Sequence, residues 1–199
     1  MPERARRSDA RRSRAALLGA VGELLAERGP EFALTEVAAR AGVSTATAYR
    51  HFSDTPAAVD AFVEDMIVSL LAAFDALPSV DPLADVRALC REWVVRAARW
   101  GAASVYTRSP RGVLARRDAG DPLLVGLYDR LAARVEAGIA AGVLPEQDVR
   151  FAVLMWATLL DERVVLDLVG SSGWATEDVV DRLTAALLRV LGWPGDHAY

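Results

Sequence analysis

The chain has 199 residues, 53% of them hydrophobic, and a formal net charge of −4, which is enough apolar material for a core in one or two domains. One cysteine, Cys90, excludes an internal disulfide and, with only two histidines, leaves no set of zinc ligands, so a reducing, cytoplasmic setting is expected. The longest uncharged stretches, such as Phe151–Leu160, fall far short of the roughly 20 apolar residues of a membrane span, so no membrane partner is expected.

The distribution of charge says more than its sum. Residues 1–50 carry nine arginines against six acids, or +3, whereas residues 51–199 carry fourteen against twenty-one, or −7. Every basic side chain is an arginine. A basic end on an acidic body suits a protein that meets a polyanion with one end only.

In chain order, residues 1–14, MPERARRSDARRSR, hold six arginines and almost nothing apolar, and read as a disordered arm. Such an arm is either a solvated tail or a contact to DNA phosphates or a minor groove. A targeting peptide lacks support, since no apolar region with a cleavage signature follows. From about Arg12 to Arg28, Ala16, Leu17, Ala20, Val21, Leu24 and Leu25 recur at spacings of three and four, an amphipathic helix closed by Gly29-Pro30.

Leu34, Val37, Ala38 and Ala41 form the apolar face of a second short helix, and Gly42 ends it. Val43 plugs the turn, and Ser44 or Thr45 caps a third helix from about Thr45 to His51. With Phe32, Leu34, Val37 and Phe52 as core, residues 15–55 make a three-helix head containing a helix-turn-helix. The second helix of such a motif enters the major groove of double-stranded DNA.

Asp54-Thr55-Pro56 reads as the start of a fourth helix, with Thr55 as cap, running to about Leu77. Its face of Val59, Phe62, Val63, Met66, Ile67, Leu70, Leu71 and Phe74 is wide enough to pack on several neighbours. Leu77–Pro82 is a turn-rich break. Helical periodicity then predicts segments over Leu83–Trp100, Ala102–Asp118, Pro122–Ala141, Glu146–Leu168 and Thr176–Leu191, separated by glycine-rich punctuation. The expected fold is all-α, with residues 56–199 as a helical body.

Three groups of residues carry candidate function. Ser44, Thr45, Ala46, Thr47, Tyr49, Arg50 and His51 form the candidate DNA-contacting set: small hydroxyl and methyl groups suit close approach to base edges, and Arg50 suits either a base or a phosphate. Tyr49 and His51 have the alternative of covering the core of a small domain. Trp93, Arg96, Trp100, Tyr106, Tyr128 and Trp156 are the candidate ligand-binding set, an apolar and aromatic group with a few polar members, Asp161 among the possible additions. Each tryptophan has plain core packing as its alternative. Finally, Asp161-Glu162-Arg163 interrupts an otherwise apolar helix, where Arg163 and Asp167 are spaced to pair, and that helix and the last one are apolar enough to suggest burial against a second subunit.

No catalytic set is formed. His51 and His197 lie away from any serine partner and from Cys90, and the adjacent Asp161 and Glu162 point about 100° apart on a helix, which is poor for acid and base on one bond. Neither an enzyme nor a cofactor is expected.

The run AGVSTATAYRHF, within residues 14–62, resembles the TetR family of bacterial transcription regulators. The resemblance implies that Tyr49 and His51 bond phosphates, that the body binds a small molecule, and that the last two helices build a four-helix homodimer interface. Thr55 stands where family members usually place a phosphate-contacting lysine. The function implied is a homodimeric regulator, more a repressor than an activator, released from a palindromic operator by a small-molecule ligand. The alternative is a helical ligand-binding protein that has lost specific DNA binding, for which Thr55 is the supporting feature.

Overall fold

The computed structural model describes residues 2–106 and 109–195, with side chains from Ser8 onward. His197 lies outside them. The order is α1 Pro2–Arg28, α2 Leu34–Arg40, α3 Thr45–His51, α4 Thr55–Ala76, α5 Pro82–Val105, α6 Val113–Asp118, α7 Pro122–Ala140, α8 Val149–Leu159, α9 Glu162–Leu166, a π-helical turn Asp167–Ser171, and α10 Thr176–Val190. The expected all-α fold is what the described residues adopt.

These helices divide between two units: Met1–Met66 with Ala102–Arg108, and Ile67–Gly101 with Ser109–Tyr199. In the first, α1 lays Leu17, Val21, Leu24 and Leu25 into a core completed by Leu34, Val37 and Ala38 of α2, Ala48 of α3 and Phe52. Phe32 is only half-buried. The unit does not stop at residue 55, because Ala58 and Phe62 of α4 are buried with it. Its last piece is the end of α5 with Tyr106 just beyond it, whose ring lies 3.1 Å from where a Cβ on Gly29 would stand. Gly29 closes α1 at φ +76°, so glycine serves there both for its backbone and for the room it leaves.

Three sequence expectations need correction here. Residues 2–14 are not an unstructured arm but the first half of α1, because neither proline nor glycine interrupts residues 3–18, and alanine and arginine both favour the helix. Asp9 and Arg12 pair one turn apart within this stretch. The cap of α4 is Asp54, not Thr55: its Oδ1 accepts from the N–H of Ala57 at 2.8 Å. The predicted break at Trp100 does not occur, since Gly101 continues α5 to Val105.

The second unit packs Phe74, Val86, Leu89, Trp93, Val94, Leu131, Val135, Val153, Trp156, Leu160, Val180, Leu187 and Leu191 into one core. Asp121 caps α7 and Asp148 caps α8, each carboxylate taking two free backbone N–H groups. The long helix expected over Glu146–Leu168 is broken at Leu160. There Asp161 caps a new helix, accepting from the Arg163 N–H at 2.9 Å and holding the Arg163 guanidinium as well. The expected Arg163–Asp167 pair gives way to this one, since the capping carboxylate already lies within reach. Gly101 permits close packing of α5 on α9, a Cβ there meeting Leu166 at 3.2 Å and Glu162 at 3.3 Å.

Candidate DNA-binding site

The site begins with two helix ends. At the exit of α2, Gly42 adopts φ +66°, the N–H of Gly42 donates to Ala39 O at 3.2 Å, and that of Val43 donates to Ala38 O at 3.0 Å. This double closure reverses the chain and satisfies carbonyls that the helix leaves free. Ser44 then starts α3, its hydroxyl oxygen accepting from the Thr47 N–H at 3.1 Å. Ser44 is thus the cap, and Thr45 is the first residue of the helix.

α2 is held in place by α1. Arg40 reaches Glu27 with both terminal nitrogens, at 2.7 and 2.9 Å, and Glu23 at 3.3 Å. The guanidinium hydrogen bond holds the Glu27 carboxyl below the usual carboxylate range. At the other end of α2, Glu36 accepts from the Ala33 N–H at 2.9 Å and takes a bond from Arg28. The backbone bond is the main reason its carboxyl is also lowered, the Arg28 bond adding to it.

Only Ala48 of α3 is fully buried. Thr45, Ala46, Tyr49 and Arg50 face solvent, Tyr49 with 53% of its surface exposed. Tyr49 therefore does not serve as core. Along this face, Ser44 Oγ and Thr47 Oγ1 are 2.9 Å apart, and Arg50 Nη2 donates to Thr47 Oγ1 at 2.8 Å. His51 is half-buried beside Phe52, their ring centroids 6.2 Å apart. Burial foremost, then the charges of Arg14 and Arg50, lower the His51 pKa and favour its neutral form.

Arg14 is a member of this site that the sequence reading left in the arm. Its guanidinium lies 5.3 Å from the Phe52 ring centroid, at the start of the face that α1 continues through Leu17, Leu18 and Val21. The i+3 and i+4 spacing to those leucines was the available signal.

The candidate ligand residues do not converge. Trp93 and Trp156 belong to the core of the second unit, Trp156 wholly buried and Trp93 packed on Phe74 at 6.4 Å. Arg96 pairs with Glu92 on its own helix, Tyr128 lies under Arg117 at 4.0 Å, and Trp100 under Arg99 at 4.8 Å. Tyr106 belongs to the first unit. Helical spacing set Trp93 and Trp100 on one stripe, but Trp93 faces the core whereas Trp100 is only half-buried. Instead, the second unit has an open cleft of 290 Å³ lined by Phe74 and Asp75 of α4, Leu89 of α5, and Asp129, Arg130, Ala133 and Arg134 of α7.

Comparison with known proteins agrees with this geometry. Residues 17–57 match the family model of the bacterial regulatory proteins, tetR family. No curated protein matches the sequence. Among solved structures, the fatty acid degradation regulator FadR from Bacillus halodurans is 18% identical, covering 88% of this chain and 94% of its own, with a TM-score of 0.72. The transcriptional regulator FadR from Bacillus subtilis, solved with stearoyl-CoA, is 20% identical over 92% of this chain and 99% of its own, TM-score 0.71. A regulatory protein of the tetR family from Rhodococcus RHA1 is 19% identical over 90% and 96%, TM-score 0.66. At these identities the three likenesses show a shared fold. Residues 17–57 thus match the helix-turn-helix model of the tetR family of bacterial regulatory proteins, and the chain as a whole shares the fold of these regulators.

Proposed function

We propose that this transcription regulator is a repressor that binds a palindromic operator as a homodimer and is released by a small molecule bound in the second unit. The observation that carries the reading is α3: a capped helix, braced through α2 onto α1, that turns Thr45, Ala46, Tyr49 and Arg50 outward with Thr47 half-exposed among them. On this reading Thr45, Ala46 and Thr47 approach base edges, Ser44 and Arg50 flank them, and Tyr49 and His51 bond phosphates. The dimer forms through α8 to α10, where Phe151 and Val190 remain 56% and 48% exposed. Twofold symmetry then sets two copies of α3 about 34 Å apart, one turn of the duplex. A ligand that prefers a different conformation weakens DNA binding by its differential affinity, and operator DNA weakens the ligand reciprocally.

Fluorescence anisotropy with the palindrome upstream of the chain's own gene tests this reading. Affinity should fall steeply with salt, each phosphate contact adding about 0.9 to the log–log slope, and a scrambled duplex should bind far more weakly. Flat salt dependence, or equal affinity for both duplexes, favours the alternative of a ligand-binding protein without specific DNA binding.

A further inference from the structure

The two hydroxyls at the start of α3 are not independent groups. Ser44 Oγ and Thr47 Oγ1 stand 2.9 Å apart and share a proton, the Thr47 N–H donates to Ser44 Oγ at 3.1 Å, and Arg50 Nη2 donates to Thr47 Oγ1 at 2.8 Å. Ser44 and Arg50 are exposed and Thr47 is half-exposed, so this chain of bonds lies at the surface. Ser44 and Thr47 also belong to the first turn of the helix, the part of a recognition helix that meets base edges.

Each hydroxyl brings one proton and two lone pairs. The backbone N–H takes a lone pair of Ser44, the guanidinium takes a lone pair of Thr47, and the bond between the hydroxyls takes one more lone pair with one proton. One proton and one lone pair remain, and they fall on different oxygens. When Thr47 donates to Ser44, Ser44 offers the proton and Thr47 the lone pair. When Ser44 donates to Thr47, the offers change places. In both states the pair shows one donor beside one acceptor and never two donors. Arg50 holds the pair to this, because its N–H fills a lone pair that would otherwise accept from a second group.

One donor beside one acceptor is what a carboxamide presents, and a carboxamide reads adenine in the major groove through N7 and the N6 amino group. Guanine shows two acceptors on its edge, N7 and O6, so this pair would leave one of them unmatched. Inside the groove an unmatched polar group has lost its water and the mismatch is felt in full. We infer that Ser44 and Thr47 together read one adenine in each half-site of the operator, with Arg50 fixing the hydroxyl pair in its mixed state. The inference rests on the operator-binding reading above and names a base that this part of the site takes.

Site selection from a randomised palindromic duplex library tests it, using the full chain as wild type, Thr47→Ser and Thr47→Val. Wild type and Thr47→Ser, which keeps the hydroxyl, should enrich adenine at one position of each half-site. Thr47→Val, which keeps the shape without the hydroxyl, should lose that preference and retain the others. At the same position, 7-deazaadenine lacks the N7 acceptor and purine lacks the N6 amino group. Each should weaken wild-type binding about fivefold or more, the lower end of what a bidentate base contact is worth, and leave Thr47→Val unaffected. These analogues change the DNA alone, so the wild-type comparison does not depend on the folding of any variant. The inference is overturned if wild type and Thr47→Val enrich the same bases, if the affected position is guanine, or if wild type is indifferent to both analogues. Those outcomes leave a specific operator-binding protein in place. Enrichment of no duplex removes the operator-binding reading itself, and this inference with it.

Discussion

Arg50 donates a hydrogen bond to the hydroxyl of Thr47 at 2.8 Å, one turn back along the exposed face of α3. The bond aims the guanidinium along the helix and leaves Thr47 less free to act alone. Thr47→Ala should therefore change two things, removing a hydroxyl from the base-reading face and releasing Arg50. The expected outcome is an altered preference among operator variants, whereas Tyr49→Ala weakens all duplexes nearly uniformly. Anisotropy across a panel of single-base operator variants separates them, and identical profiles for the two substitutions would remove this division of roles.

His51 is held toward its neutral form, chiefly by burial and then by Arg14 and Arg50. A phosphate beside the ring reverses that balance, so operator binding takes up a proton. Because the free-state pKa lies below the ordinary 6.5 and a bound phosphate shifts it upward, affinity should rise as pH falls. Conformational stability should run the other way: the unfolded chain binds the proton more readily, so the contribution of His51 is full above 6.5 and is lost as pH falls toward the folded value. Operator affinity from pH 5.5 to 8 should keep this slope in wild type and lose it in His51→Gln.

Burial pushes the Cys90 thiol up to about 12, although the neighbouring Thr184 and Trp156 polar groups pull the other way. A thiol so placed presents almost no thiolate and no path for reagent. Alkylation by iodoacetamide at pH 8 should be negligible in the native state and fast in denaturant. Native labelling at the rate of a free peptide would show that this core opens far more readily than its packing implies.

Gly138 lies where a Cβ would stand 2.8 Å from Leu144 Cδ1 and 2.9 Å from its Cγ, and Leu144 is itself buried. Gly138→Ala gains helix propensity of up to about 1 kcal/mol, but overpacking of this kind costs about 1–3 kcal/mol. Chemical denaturation should show net destabilisation. Gly19→Ala, with no atom within 4 Å of its Cβ position, should leave stability unchanged or improve it.

The basic start of α1 bears on phosphate binding. Arg11 and Arg12 are exposed, and Thr55 offers no charge at the start of α4. Deleting residues 1–11 should lower operator affinity and the steepness of its salt dependence by about 0.9 per lost contact. Unchanged affinity would assign these arginines to solvation alone.

Much of the head was legible because its signals are local. The Gly42 turn, the Ser44 or Thr45 cap and the apolar spacing of α1 and α2 all act within a few residues, and each reappears in the structure. The arm was misread because charge density was taken for disorder, although alanine and arginine without glycine or proline favour a helix. Asp161 shows the opposite failure: an apolar period ran through a residue whose carboxylate was better used as a cap. The cleft gave least warning. Asp75 and Arg130 are 55 residues apart on different helices, and no periodicity within one element announces such a pair.

The loop before α8 and the end of α10 are clasped together. Gln147 Nε2 donates to the Leu191 carbonyl at 2.9 Å and to the Pro145 carbonyl at 3.2 Å, while Gly192, at φ +81°, leaves just enough room for the Pro145 ring. Any protein surface that docks on α8 and α10 therefore meets two helices whose spacing at this end was set during folding. The backbone entropy of aligning them is already spent, so association has mainly side chains left to order, and a modest contact area suffices for a stable assembly.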